Sequence, residues 1–93
     1  RVTVMFAGDE NPFISGALAI SPGSQAEGIA VGLENADGTA LAVNEVSPQI
    51  TLNDGLTLLN FRAYVQGEPD ALANKTIKRG PFSAIATFHL NYD

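Results

Sequence analysis

The residue types that usually catalyse reactions are few in this sequence and widely spaced. His89 is the only histidine, and cysteine is absent. General acid–base catalysis and zinc binding both need a second group held beside the first. No Cys or further His supplies that group, and His89 alternates with apolar residues, so we interpret it as a half-exposed strand residue. The sequence therefore predicts no metal site.

The hydroxyl and carboxylate groups are not arranged for catalysis either. None of the serines occurs in the G-x-S-x-G pattern that exposes a nucleophile at a sharp turn. Asp9, Glu10 and Asp54 lie in turn-forming sequences, where acidic side chains bond nearby backbone amides. Asp37 stands at a position like the start of a calcium loop, but the further carboxylates of such a loop are missing. We therefore predict that the chain is not an enzyme and binds no cofactor.

Length and charge exclude further classes of function. The 93 residues suffice for one small domain, and 45% of them are hydrophobic, which is typical of a folded chain. The net charge is −5, whereas nucleic-acid-binding proteins displace phosphate counterions with clustered Lys and Arg. Lys75, Lys78 and Arg79 form the only local basic cluster. It is too small for a nucleic-acid site or a polybasic membrane surface.

Glycine and proline recur about every ten residues between β-rich runs, which is typical of an antiparallel sandwich or barrel. Asp37-Gly38 separates two alternating runs and predicts a hairpin, because Gly accepts the positive φ of a tight turn. Residues 70–74 predict one helical turn. The predicted strands cover residues 1–6, 17–20, 28–34, 39–43, 50–52, 56–66 and 81–92. The sequence therefore predicts an all-β fold.

The C-terminal strand is unusually regular. Side chains alternate faces along a strand, so every second residue contributes to the same face. One face is apolar: Gly80, Phe82, Ala84, Ala86, Phe88, Leu90 and Tyr92. The opposite face is polar apart from Ile85. This pattern predicts a long apolar ridge on one side of the last strand.

In combination, these features resemble the pilin subunits of chaperone–usher fimbriae, the type 1 and P pilus class. Tyr92 is penultimate and Gly80 is fourteenth from the C-terminus, as in that family. Residues 59–64 (LNFRAY) resemble its L-x-F-x-A-Y strand, and residues 28–39 resemble its hairpin with a D-G-T turn. Family members are longer and carry a disulfide and an N-terminal extension in their first half. Residues 1–93 are therefore expected to be the C-terminal portion of one pilin domain.

The resemblance implies an incomplete immunoglobulin-like sandwich with a hydrophobic groove beside its last strand. A strand of the periplasmic chaperone would fill the groove first. At the outer-membrane usher, the N-terminal extension of a neighbouring pilin subunit would replace it by β-augmentation. The implied location is a fimbrium on the bacterial surface, reached through the periplasm. The residues of the groove and of the chaperone site would be Gly80, Phe82, Ala84, Ala86, Phe88, Leu90, Tyr92 and Asp93. Among them, Asp93 would supply the terminal carboxylate that binds the chaperone.

Two alternatives remain open from the sequence. One is the pilin domain of a fimbrial tip adhesin whose sugar-binding domain lies elsewhere. The other is an unrelated secreted β-sandwich, such as a surface or virion structural domain. A chain that folded stably without a donor strand would favour the latter.

Overall fold

The computed structural model describes residues 2–50 and 60–92 of the chain. Within them, one short helix, α1 (Pro69–Asn74), accompanies six strands. The strands are β1 (Val2–Gly8), β2 (Leu18–Ala19), β3 (Ile29–Asn35), β4 (Ala40–Leu41), β5 (Phe61–Gly67) and β6 (Ala86–Tyr92). The predicted all-β class is confirmed. No helix in the described ranges is long and apolar enough to cross a membrane.

Several strand limits differ from the prediction. β1 continues to Gly8, two residues beyond the predicted end, and β5 begins only at Phe61. The earlier part of the predicted strand over residues 56–66 falls mostly outside the described residues, as does Arg1. Of the predicted strand over residues 50–52, only Ile50 is described, and it forms an isolated bridge with Val2.

The strands form two antiparallel sheets. β1 pairs with β6 along its whole length, from Val2 opposite Tyr92 to Gly8 opposite Ala86. In the second sheet β3 pairs with β2, β4 and β5. Its pairing with β5 is the longest and runs from Ile29 opposite Gly67 to Asn35 opposite Phe61. Two stacked sheets of this kind form a sandwich whose core lies between their inner faces.

Three aromatic rings join the two sheets. The ring centroids of Phe6 and Phe88 in the β1–β6 sheet lie 5.3 Å apart. Phe61 of β5 packs against both, at 5.3 Å from Phe6 and 5.7 Å from Phe88. Val2 and Val4 share a strand face with Phe6 and are only 1% and 2% exposed. This face of β1 therefore turns toward the second sheet.

The predicted hairpin between β3 and β4 is confirmed. The Asn35 N–H donates to the Thr39 carbonyl at 2.9 Å, and the Gly38 N–H donates to the Asn35 carbonyl at 3.0 Å. Gly38 has a φ of +90°, which glycine adopts without steric cost. The Asp37 side chain accepts the Thr39 N–H at 2.8 Å, so it forms part of the turn.

Gly32 allows a close approach between β3 and a side chain of β5. A Cβ added to Gly32 would clash with the ring of Tyr64, the residue opposite Gly32 on β5. The Tyr64 ring therefore covers the glycine on this face of the sheet. An aromatic side chain packed over a strand glycine restores contact area that the missing side chain would have given.

Residues 44–50 run beside β1 on the edge that β6 does not occupy. The N–H groups of Asn44, Ser47 and Ile50 donate to the carbonyls of Phe6, Val4 and Val2 at 2.7, 2.8 and 2.7 Å. The Ser47 hydroxyl also accepts the Val4 N–H at 2.9 Å. This segment therefore occupies the second edge of β1.

The predicted last strand over residues 81–92 is wrong for residues 81–85, because only Ala86–Tyr92 joins the sheet with β1. Residues 78–83 pair with residues 21–27 instead, on the side of the second sheet. Glu27 and Lys78 exchange two backbone hydrogen bonds of 3.0 Å, and Ser21 N–H donates to Ser83 O at 2.7 Å. The chain thus changes sheets between Ser83 and Ala86. Alternation continues across this crossing, so sequence pattern alone does not reveal it.

Candidate strand-binding edge

β6 is an edge strand in the part of the chain that the structure describes. One edge pairs with β1 through all seven residues of the strand. No described strand pairs with its other edge. An open edge presents a row of backbone N–H and C=O groups that can pair with another chain.

The inner face of β6 is apolar and open. By strand alternation, Ala86, Phe88, Leu90 and Tyr92 share the face that turns toward the second sheet. Phe88, Leu90 and Tyr92 are nevertheless 45%, 53% and 73% exposed. Apolar side chains that point into a sandwich are normally covered, so this side of the sandwich is incomplete.

β5 borders the same open side from the second sheet. Phe61, Ala63 and Val65 share one face of β5, and the contacts of Phe61 with Phe6 and Phe88 turn that face inward. Val65 is nevertheless 57% exposed. On its second edge β5, like β6, has no described strand as a partner. We call the space between these two partly exposed apolar faces the cleft, and Phe61 and Phe88 are in contact within it.

The structure does not bring all of the predicted groove residues together. Four of them, Ala86, Phe88, Leu90 and Tyr92, line the open face of β6. Phe82 lies before the strand, is 41% exposed, and lines a hollow of about 340 Å³ with residues 22–25. Ala84 is half-buried in the crossing between the sheets. Asp93 lies outside the described residues.

Gly80 packs closely against the loop before β3. Its φ is +155°, and an added Cβ would lie 2.9 Å from Cβ of Gln25 and 3.3 Å from the backbone N of Ala26. Glycine is required here by close approach. It belongs to the pairing of residues 78–83 with residues 21–27 and lies away from the open edge of β6.

The β5 side of the cleft was not among the predicted groove residues. The sequence signal that could have identified them is alternation, which places Phe61, Ala63 and Val65 on one strand face. Which strand lies opposite that face depends on contacts distant in the sequence. The pairing partner of β5 could not be read from alternation.

The candidate catalytic groups remain dispersed in the structure. His89 is exposed on the outer face of β6, opposite Met5 of β1. No group of three or more His, Cys, Asp or Glu in the described ranges could hold a metal ion. The pKa of Asp37 lies below its ordinary value because the Thr39 backbone N–H donates to the carboxylate.

Comparisons with known proteins agree with this geometry. The family model described as "Fimbrial protein" matches residues 1–93. The fimbrial adapter PapK of Escherichia coli is 33% identical over 95 residues, which cover 98% of this chain and 53% of that protein. The chain spans about half the length of the curated relatives it matches.

Two solved structures have the same fold. The antigen and type I fimbria protein of Burkholderia pseudomallei superposes with a TM-score of 0.84 at 28% identity, covering 98% of this chain and 59% of that one. The P pilus rod subunit PapA gives 0.78 at 28% identity, covering 99% of this chain and 60% of that one. The sandwich with unpaired edges is therefore a pilin fold.

Proposed function

Because the chain belongs to the family of fimbrial proteins, we propose that it is part of a structural subunit of a bacterial fimbria. The subunit polymerises by accepting a strand from a partner along the free edge of β6. The observation that carries this proposal is the exposure of Phe88, Leu90 and Tyr92 on the inward face of a strand with one open edge. No catalytic step and no cofactor is needed for this role.

A strand added beside β6 would gain two kinds of contact. Its backbone would pair with the free N–H and C=O groups of residues 86–92, which fixes the register. Its alternate side chains would enter the cleft against the apolar face of β6. Each buried apolar side chain contributes roughly 1.5–3 kcal/mol, so several of them would hold the strands together without a covalent bond.

We assign the strand site to Ala86, Phe88, Leu90 and Tyr92, with Phe82 and Ala84 beyond the N-terminal end of β6. Ala86 leaves room for a large incoming side chain, whereas Phe88 and Tyr92 limit the space. Gly80 and the terminal carboxylate of Asp93 complete the proposed site. As in the pilins that the sequence resembles, the carboxylate would bind basic residues of a chaperone.

The proposed partners follow from the family. A periplasmic chaperone would supply the first strand, and the N-terminal extension of a neighbouring pilin subunit would replace it at the outer-membrane usher. The fimbrium on the cell surface is the proposed location. PapK and PapA are described as an adapter and a rod subunit of such organelles, which supports a structural role.

We also propose that the chain is the C-terminal portion of one pilin domain. The chain spans about half of its curated relatives, and β5 has a free edge beside exposed inner-facing residues. A second segment of the same domain would cover β5, while the strand from the partner would cover β6. Native mass spectrometry of the purified 9.7 kDa chain should find it associated with another polypeptide. A stable, folded monomer would contradict this.

The strand site is tested by Ala86→Trp, with Thr87→Trp as the matched control. Both residues are exposed neighbours on β6, but only Ala86 faces the cleft. We expect Ala86→Trp to reduce binding of a peptide with alternating apolar residues by about tenfold or more. Thr87→Trp should leave it unchanged within about threefold. Equal binding by both variants, or fibre formation by Ala86→Trp, would contradict the assignment.

A further inference from the structure

Asp37-Gly38, at the tip of the hairpin, is a pair of residues that can rearrange chemically without an enzyme. The backbone nitrogen of the glycine attacks Cγ of the aspartic acid, because no glycine side chain hinders the approach. The N–Cγ bond forms as the Cγ–OH bond breaks, and the N–H proton leaves with the hydroxyl as water. Water then opens the succinimide ring at either carbonyl. One product is aspartate, and the other is isoaspartate, whose main chain runs through the former side chain.

The folded hairpin engages both of the groups that would react. The Gly38 N–H donates to the Asn35 carbonyl at 3.0 Å, so this bond must break before the nitrogen can attack. The Asp37 carboxyl loses its hydroxyl as water only when it is protonated. The Thr39 N–H, at 2.8 Å from Oδ1, favours the charged form and lowers the pKa of Asp37. Asp37 and Gly38 are exposed to water, so these hydrogen bonds are what oppose the reaction.

Arg62 of β5 holds the turn from the neighbouring strand. Its Nη2 donates to the carbonyl of Ala36, the residue before Asp37, at 3.0 Å. Its Nε lies 3.2 Å from Oε1 of Glu34, which is the residue opposite Arg62 on β3. One guanidinium therefore joins β3 to the turn, and opening the turn also breaks a contact with β5.

We propose that Asp37 is a site of isoaspartate formation that the folded hairpin keeps closed, and that Arg62 helps to hold it closed. The reaction proceeds in molecules whose turn has opened, so its rate follows the fraction of open hairpins. Isoaspartate at Asp37 then marks molecules in which this hairpin has opened. This inference does not depend on the proposed function of β6.

The experiment measures isoaspartate formation in the purified protein that carries this chain, folded and in denaturant, by peptide mapping with mass spectrometry. Asp54-Gly55, the other Asp-Gly pair of the sequence, is the reference in denaturant. There, the two sites should react at rates within about threefold of each other, whereas in the folded protein Asp37 should react about tenfold or more slowly. Equal rates at Asp37 in the folded and the denatured protein, or no reaction at Asp37 in denaturant, would overturn the proposal.

Arg62→Ala tests the role of Arg62, and Lys78→Ala is its matched control. Lys78→Ala removes the same charge from an exposed residue near the opposite end of β3. In folded Arg62→Ala, isoaspartate should form at Asp37 about twofold to fivefold faster, because the contacts of an exposed guanidinium are weak. Amide exchange should become faster at Gly38 but not along β1, which separates an effect on the turn from a general loss of stability. The same rate in both variants would refute the role of Arg62.

Discussion

Asn11 and Glu68 are joined across the sandwich by a hydrogen bond of 2.7 Å from Asn11 Nδ2 to Glu68 Oε2. Asn11 is 5% exposed, and its Oδ1 also accepts the N–H groups of Phe13 and Ile14 at 2.7 and 3.0 Å. Glu68 is the N-cap residue of α1 but makes no side-chain capping bond. Its carboxylate instead fixes the turn after β1 to the start of the helix.

The first prediction concerns this link. Asn11→Ala should lower the free energy of unfolding by about 1–3 kcal/mol, because two backbone N–H groups and the Glu68 carboxylate all lose a partner. Glu68→Ala should cost less, since the turn bonds of Asn11 remain. Chemical denaturation of the purified protein in its assembled form measures both values.

Glu68→Gln is the matched control, because an amide oxygen still accepts the Asn11 N–H. It should change the free energy of unfolding by less than about 1 kcal/mol. The double variant Asn11→Ala/Glu68→Ala should be less destabilised than the sum of the single variants, as expected for residues in contact. Strict additivity would show that the hydrogen bond does not contribute to stability.

The sequence predicted elements whose signals are local. The hairpin around Asp37-Gly38 was predictable because the turn residues and both alternating runs are adjacent in the chain. Alternation also predicted the face shared by Ala86, Phe88, Leu90 and Tyr92. By contrast, the start of β6 was predicted too early, since the partners of residues 81–83 are residues 21–26, about 60 positions away. Pairing over such a distance leaves no mark on the local pattern.

The role of Asn44 was also not predicted from the sequence. Its side-chain Oδ1 accepts the Gly8 N–H at 3.1 Å and its Nδ2 donates to the Gly8 carbonyl at 2.9 Å. Asn44 thus supplies Gly8 with the donor and acceptor that a neighbouring strand would supply. Its φ of +65° lies in the left-handed region, which Asn tolerates better than most residues.

The second prediction is that Asn44→Gly lowers the free energy of unfolding by about 1–2 kcal/mol. Glycine accepts the positive φ, so the substitution removes the two side-chain bonds without adding backbone strain. Lys75→Gly is the matched control. Lys75 also has a positive φ, of 56°, at the end of α1, but its side chain makes no described hydrogen bond. Lys75→Gly should be neutral or slightly stabilising in the same denaturation experiment.

Equal losses of stability in the two glycine variants would mean that chain entropy, and not the Asn44 amide, determines the effect.

The position of Asn44 also bears on the strand site. Asn44 and residues 47–50 occupy the second edge of β1, which leaves the edge of β6 as the open one in this sheet. Loosening Asn44 should therefore weaken peptide binding at β6 only through loss of overall stability.

The third prediction concerns the hairpin at acid pH. The Thr39 backbone N–H, followed by the Thr39 side chain, lowers the pKa of Asp37. A carboxyl whose pKa is lower in the folded state stabilises the protein above its unfolded pKa, and that contribution disappears as the pH falls through the folded value.

Asp37→Asn should therefore be less stable than the parent at neutral pH, and the difference in stability should shrink below about pH 4. Because Asp37 is fully exposed, the effect should be small. A constant gap between Asp37→Asn and the parent from neutral to acid pH would show that the charge of Asp37 does not stabilise the turn.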